Sequence, residues 1–258
     1  MRFEAQPLHE PDSMGFVTGD RIGSYRVEHE LGSTATGTLY QAIHLVLPRR
    51  AVIKVKHHGA DRMQHALAVQ LLREACLLEA LSHPGIPQLY ESGLLDDKRP
   101  WFAFELIEGI TLADSIDAGP VPALEVARIV RDLAATLEHA HKRGVIHRAL
   151  RPDRVTLSAE RGFAVAVTDW TDARPHDSID AQRDIVMPAR EGRPYLAPEL
   201  IRGDAPDDRA DIYAIGVMAY QALVGVLPRF ESTKTRCPDA PVELAQLIDQ
   251  MLSPDRFH

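Results

Sequence analysis

The run Ala51–Val55 is apolar except for Lys54, and a helical pattern from Asp61 to Leu81 carries Leu67, Leu71, Leu78 and Leu81 on a stripe that Glu74 interrupts. Those five helix positions follow 4-3-4-3 spacing and so lie on one face. An ionised group turned toward a core is strongly unfavourable unless it is paired. The nearest comparable oddity to Glu74 is Lys54, a cation within an apolar strand, and pairing them lays this helix against this strand. The alternative is that both side chains reach solvent at the edges of their elements. Periodicity by itself leaves the two readings open.

On the N-terminal side of Lys54, Tyr25, Val27 and Leu31 and then Thr38, Tyr40 and Ala42 alternate about a Gly/Ser/Thr turn, which predicts a hairpin. Strand-like runs follow the helix near Ile86–Tyr90 and Trp101–Ile107. After Gly109 the period changes, and Val126, Val130, Leu133, Leu137 and Ala140 mark one face of a helix opening near Pro122, a residue suited to a first turn. The longest apolar stretch, Ile212–Leu227, contains Gln221 and two glycines and is shorter than the roughly 18 residues of a spanning segment, so it predicts a buried core helix. The polar segment Asp172–Pro194 has no apolar period and reads as a long loop.

With 258 residues the chain has room for one large unit or two lobes. A net charge of -8, from 29 basic and 37 acidic residues, argues against a general nucleic-acid or anionic-membrane binder. Only Cys76 and Cys237 are present, so no disulfide framework is indicated and a cytoplasmic setting is the simpler one. Residues 1–23 lack the run of about 7–15 apolar residues that a secretory signal needs and read as a flexible leader. His57 and His58 are adjacent, and His139 and His141 are two apart on a helix, so neither pair points to a metal site.

Between Leu31 and Tyr40, Gly32 and Gly37 stand five positions apart in a turn that could bring backbone N–H groups to phosphates, although a plain hairpin loop would look the same. The order of elements from about Ser24 to Arg256, with these glycines, Lys54, Glu74, His147-Arg148, Asp169 and Ala197-Pro198-Glu199, resembles the protein kinase fold. The likeness is to the bacterial relatives of eukaryotic Ser/Thr kinases. It implies an α+β, two-lobed architecture, with a sheet-rich lobe of residues 24–107 carrying one main helix and a mostly helical lobe of residues 108–258. It implies Gly32 and Gly37 as the first and third glycines of a Gly-rich loop, Leu39 as a roof over adenine, and Lys54 with Glu74 as the strand–helix pair. Phe104–Gly109 matches the gatekeeper and hinge, with Glu105 and Ile107 as cofactor-binding positions, and Asp169 matches the metal-binding aspartate of D-F-G. Asp211 matches the aspartate that starts the central buried helix, and Arg256 the arginine that pairs with Glu199. Active members continue past the Arg256 position with a further helix, so the resemblance implies a piece of a longer protein or a shortened lobe.

The departures fall on chemistry. Where catalytic kinases carry H-R-D-L-K-P-x-N, this chain reads His147-Arg-Ala-Leu-Arg-Pro-Asp-Arg154. Ala149 replaces the aspartate that orients the substrate hydroxyl, Arg151 the lysine near the transferred phosphate, and Arg154 the asparagine that holds a magnesium ion. Asp153 falls on a peptide-contact position. In Asp169-Trp-Thr171 the glycine hinge has become a β-branched residue, which stiffens the turn. Arg193 stands near the threonine that normally bonds the catalytic aspartate and lysine. Val52 replaces the small residue above adenine, Thr156 an apolar floor and Thr34 the middle glycine, changes that each weaken nucleotide binding by about 1–3 kcal/mol. For Arg154 two roles stay open: a salt bridge with Asp169 and Glu74, or neutralisation of phosphate without metal.

The expectation is a catalytically inactive kinase-like domain, a pseudokinase, acting as a protein-binding, scaffolding or regulatory module. It needs no cofactor and binds ATP weakly, with or without magnesium, Asp169 being the one retained metal position. Its partners are proteins, with no nucleic acid and no membrane insertion by this segment. A weak or unconventional transferase built on Lys54, Glu74 and Asp169, and an ATP-binding sensor without turnover, are the alternatives.

Overall fold

A computed structural model of the chain describes residues 15–34, 36–57, 61–158, 162–175, 190–229 and 231–253, with the backbone alone for 61–66 and 190–191. The chain divides into two compact units, one of Met1–Ala75 with Leu89–Leu106 and the other of Cys76–Gln88 with Ile107–His258. The division after Leu106 lies one residue before the expected lobe boundary, and it assigns residues 76–88 to the second unit.

The first unit is built on an antiparallel sheet ordered β1 (Arg21–Ile22), β2 (Tyr25–Ser33), β3 (Gly37–His44), β4 (Arg50–Lys56), β6 (Pro100–Glu105) and β5 (Leu89–Leu94). Alternation along β2 and β3 buries Tyr25, Val27, Tyr40 and Ala42, which pack with Ile53, Val55 and Trp101 into one apolar cluster. Leu31, placed on the same alternating face by its spacing, is exposed instead. Irregular register between Val27 and His29 and between Glu30 and Gly32 breaks the alternation before it reaches that residue. Helix α1 spans Asp61–Ala80, and Leu71, Glu74 and Leu78 of its stripe are buried.

Of the leader expected over residues 1–23, residues 1–14 lie outside the described residues. Gly15–Gly23 are tied to the sheet: the Phe16 N–H donates to the Tyr40 hydroxyl at 3.2 Å, the Gly19 N–H to the Val27 carbonyl at 2.9 Å, and Arg21 pairs with Arg26 in β1–β2. A two-residue strand has too few alternating positions to register as a sequence period.

In the second unit, α3 (Ala123–His141) buries Val126, Val130, Leu133, Leu137 and Ala140, the face that its period predicts. It packs against α5 (Arg209–Val224), which is apolar on nearly every side, as suits a central core helix. Helix α5 ends at Gly225, whose left-handed φ of 82° lets its N–H return to the Gln221 carbonyl. The other α-helices among the described residues of this unit are α2 (Leu112–Asp117), α4 (Pro198–Arg202), α6 (Thr233–Arg236) and α7 (Val242–Met251). A small sheet joins β7 (Ile110–Thr111), β9 (Val155–Leu157) and β10 (Val165–Val167), and a second pairs β8 (Val145–Ile146) with β11 (Arg174–Pro175). The loop predicted over Asp172–Pro194 begins with that strand β11. Most of its remainder, together with Arg256, lies outside the described residues. No helix among the described residues is long and apolar enough to cross a membrane.

Candidate functional site

Within the first unit, the Lys54 ammonium lies 2.7 Å from the Glu74 carboxylate, and both side chains are almost wholly buried, at 2% and 4% exposure. The pair fastens α1 to β4, because breaking a buried pair by removing one charge is strongly unfavourable. Val52, on the same strand, is buried opposite Gln41 and Phe104. Leu39 and Glu105 are half-buried.

The Gly32–Gly37 turn closes on itself. The Thr34 N–H donates to the Gly37 carbonyl at 2.8 Å, and the Gly37 N–H donates to the Thr34 hydroxyl at 3.2 Å. A phosphate cradle needs free backbone donors, and in this geometry these two are engaged within the loop. His57, whose role has no signal in the sequence, holds the turn down: its Nε2 lies 2.8 Å from the Thr34 carbonyl and its Nδ1 3.4 Å from the Thr38 hydroxyl. Since a carbonyl only accepts, Nε2 carries the proton. Replacing His57 with alanine is expected to speed hydrogen exchange at the Thr34 and Gly37 amides roughly fivefold, the effect of losing about 1 kcal/mol of hydrogen bonding. Unchanged exchange at both amides would mean that the turn holds itself.

In the second unit the catalytic-loop segment hangs on Asp211 of α5. This carboxylate, 1% exposed, accepts from the His147 N–H at 2.9 Å, the Arg148 N–H at 2.8 Å and His141 Nε2 at 2.8 Å. Arg148 is thereby held at a left-handed φ of 67°, a conformation unfavourable by about 1–2 kcal/mol for a side-chain-bearing residue. Burial lowers the pKa of His141, but the hydrogen bond and charge of Asp211, aided by Asp208, outweigh it and hold it above the ordinary value. His147 is fully buried against the Trp170 ring, with centroids 4.9 Å apart, and neither ring nitrogen has a hydrogen-bond partner among the described residues. Burial pushes its pKa down, so the ring is neutral.

The degenerate positions are tied among themselves. Ala149 offers no side-chain acceptor, and its carbonyl receives Arg154 Nη1 at 3.1 Å. Arg151 is paired with Asp153. Arg154 Nε lies 3.1 Å from the Asp169 carboxylate, and its Nη1 lies 2.9 Å from that of Asp172. Burial opposes the Arg154 charge, but the two carboxylates more than offset it and raise its pKa. Asp172 carries no signal of its own in the sequence, where the partners open to Arg154 are Asp169 and Glu74. The Asp169 carboxylate also accepts from the Thr171 N–H at 3.0 Å, which stiffens the turn that lacks glycine.

Thr156 is buried in β9, facing Thr111 across β7–β9. At the hinge, Gly109 has a φ of 159°, and a Cβ there would come within 2.0 Å of the Leu157 carbonyl oxygen, so only glycine fits. Ile107, beside it, is half-buried.

Residues 25–255 match the protein kinase domain. The chain belongs to that family. Among similar proteins are the Serine/threonine-protein kinase pkn2 of Myxococcus xanthus, 34% identical over 80% of this chain and 25% of that protein, and pkn3 of the same organism, 31% identical over 96% and 47%. The PknI kinase domain of Mycobacterium tuberculosis superposes with a TM-score of 0.69 at 26% identity, covering 93% of this chain and 92% of the other. This kinase domain thus spans between a quarter and about half of those curated relatives' length. Its α+β architecture is the two-lobed kinase fold, sheet-rich in one unit and helical in the other. The family holds magnesium with a D-F-G aspartate and a catalytic-loop asparagine. The residues here do not fit that ion, because a guanidinium replaces the asparagine and occupies the aspartate at position 169.

Proposed function

We propose that this kinase domain is a pseudokinase, a protein-binding regulatory module that does not transfer phosphate. The observation that carries the reading is Ala149, which leaves the catalytic loop without the carboxylate that orients the attacking hydroxyl. Asp153, the nearest carboxylate in sequence, is paired with Arg151 and so does not supply a free base. Phosphoryl transfer depends almost entirely on positioning and charge stabilisation, and the three substituted loop positions remove both together. A module of this kind acts through the proteins it holds. Its two free cysteines, Cys76 and Cys237, support a reducing, cytoplasmic setting.

Incubation with radiolabelled ATP and magnesium or manganese is expected to label neither the chain nor added protein substrates above the level of an Asp169→Ala control. Labelling that survives repeated purification and disappears in that control would establish a transferase. The intact Lys54–Glu74 pair favours a second reading, an ATP-binding sensor without turnover. A rise in melting temperature with ATP, without labelling, decides for the sensor; no rise decides for a module that works without nucleotide.

A further inference from the structure

We propose that this domain is closed to divalent metal at the position where its family holds magnesium, because Arg154 is a built-in cation on Asp169 and Asp172. The inference deepens the reading of the site and does not depend on the absence of turnover. Two carboxylates are hard oxygen donors of the kind that take magnesium or manganese. Here one guanidinium spans both, at 3.1 Å and 2.9 Å, and is braced by the Ala149 carbonyl at 3.1 Å. The guanidinium takes one oxygen of each carboxylate, and its charge repels a divalent ion brought to the same two groups, so the two compete for the site.

The backbone keeps the arrangement in register without help from the Arg154 side chain. The Arg154 carbonyl accepts from the Thr168 N–H at 2.9 Å and from the Thr168 hydroxyl at 3.2 Å, which sets position 154 beside position 169. The Asp172 carbonyl accepts from Arg148 Nε at 3.1 Å, which holds the second carboxylate close by. Removing the guanidinium therefore leaves residues 154, 169 and 172 beside one another and takes away the cation that meets the two carboxylates.

The test is titration of the full chain with Mn2+ alone, following free Mn2+ by electron paramagnetic resonance and the broadening of the Thr168 and Thr171 amide signals by nuclear magnetic resonance. The wild-type chain is expected to show no broadening confined to these amides. Arg154→Asn and Arg154→Met are expected to bind Mn2+ about tenfold or more tightly than wild type, with the gain lost on adding Asp169→Asn. Arg154→Lys, which keeps the charge, is expected to behave as wild type. Wild-type broadening at Thr168 and Thr171 that vanishes in Asp169→Asn would overturn the proposal, and it needs no variant at position 154 that folds. So would Arg154→Asn and Arg154→Met chains with native far-ultraviolet dichroism and no gain in binding, or an Arg154→Lys chain that binds as they do. Labelling by the wild-type chain in EDTA would defeat the pseudokinase reading and leave this inference standing.

Discussion

Glu74→Ala is expected to lower the melting temperature by roughly 6–20 °C, from a loss of about 3–5 kcal/mol at about 2–4 °C per kcal/mol. The size follows from burial. With the carboxylate gone, the Lys54 ammonium, 2% exposed, is left without the counter-charge 2.7 Å away. The double variant Lys54→Met with Glu74→Leu removes both charges and replaces them with apolar groups of similar volume, so it is expected to melt near the wild-type temperature or above it. Calorimetry on the three chains decides. If Glu74→Ala melts within about 2 °C of wild type, the pair is a solvated contact with little energetic weight.

Asp211→Asn is expected to be destabilising by about 3 kcal/mol, and more so at acid pH. The carboxylate of Asp211 accepts from two backbone N–H groups and from His141. An amide presents one oxygen, so its NH2 must face a buried donor. The pH dependence follows from two histidines that shift oppositely. His141 is raised by Asp211, so its contribution is present below the unfolded value of about 6.5 and is lost as pH rises through its folded pKa. His147 is lowered by burial, so its contribution is present above about 6.5 and is lost as pH falls toward its folded pKa. In the wild-type chain the two oppose. Asp211→Asn removes the first and, because the Asp211 charge also holds the His147 pKa up, enlarges the second, so the gap in melting temperature between the chains is expected to widen from about pH 8 to about pH 6. A gap that stays constant would show that neither His141 nor His147 draws pH-dependent stability from Asp211.

Much of the site is legible from sequence because its residues break a local pattern. Lys54 and Glu74 are charges on apolar elements, and burial leaves such residues few ways to be satisfied. The kinase fold itself is readable from the order of motifs, and the helices from their periods, as in α3. What escapes is whatever depends on a turn. Asp172 sits in a polar run with no period, and only the three-dimensional course of 169–172 brings it to Arg154. His57 reads as one of two adjacent solvated histidines until the hairpin folds the Thr34 carbonyl onto it. His141 gives no signal of its role in the sequence, because its partner Asp211 is distant along the chain. Likewise β1 and the residues before it bond to the sheet chiefly through backbone groups, which composition does not register.

The burial of Trp170 against His147 has an optical consequence. The sequence holds two tryptophans, Trp101 in the sheet unit and Trp170 in the helical one, and both are excluded from water at 3% and 0% exposure. Each unit therefore carries a single indole whose emission shifts to the red when that unit opens. A Trp101→Phe chain leaves the helical unit as the sole emitter, and a Trp170→Phe chain leaves the sheet unit. Because the imidazole of His147 lies edge-on to Trp170, loosening of the catalytic-loop segment also changes the surroundings of the helical unit's indole. The chain thus contains its own fluorophore beside the segment that departs from its family.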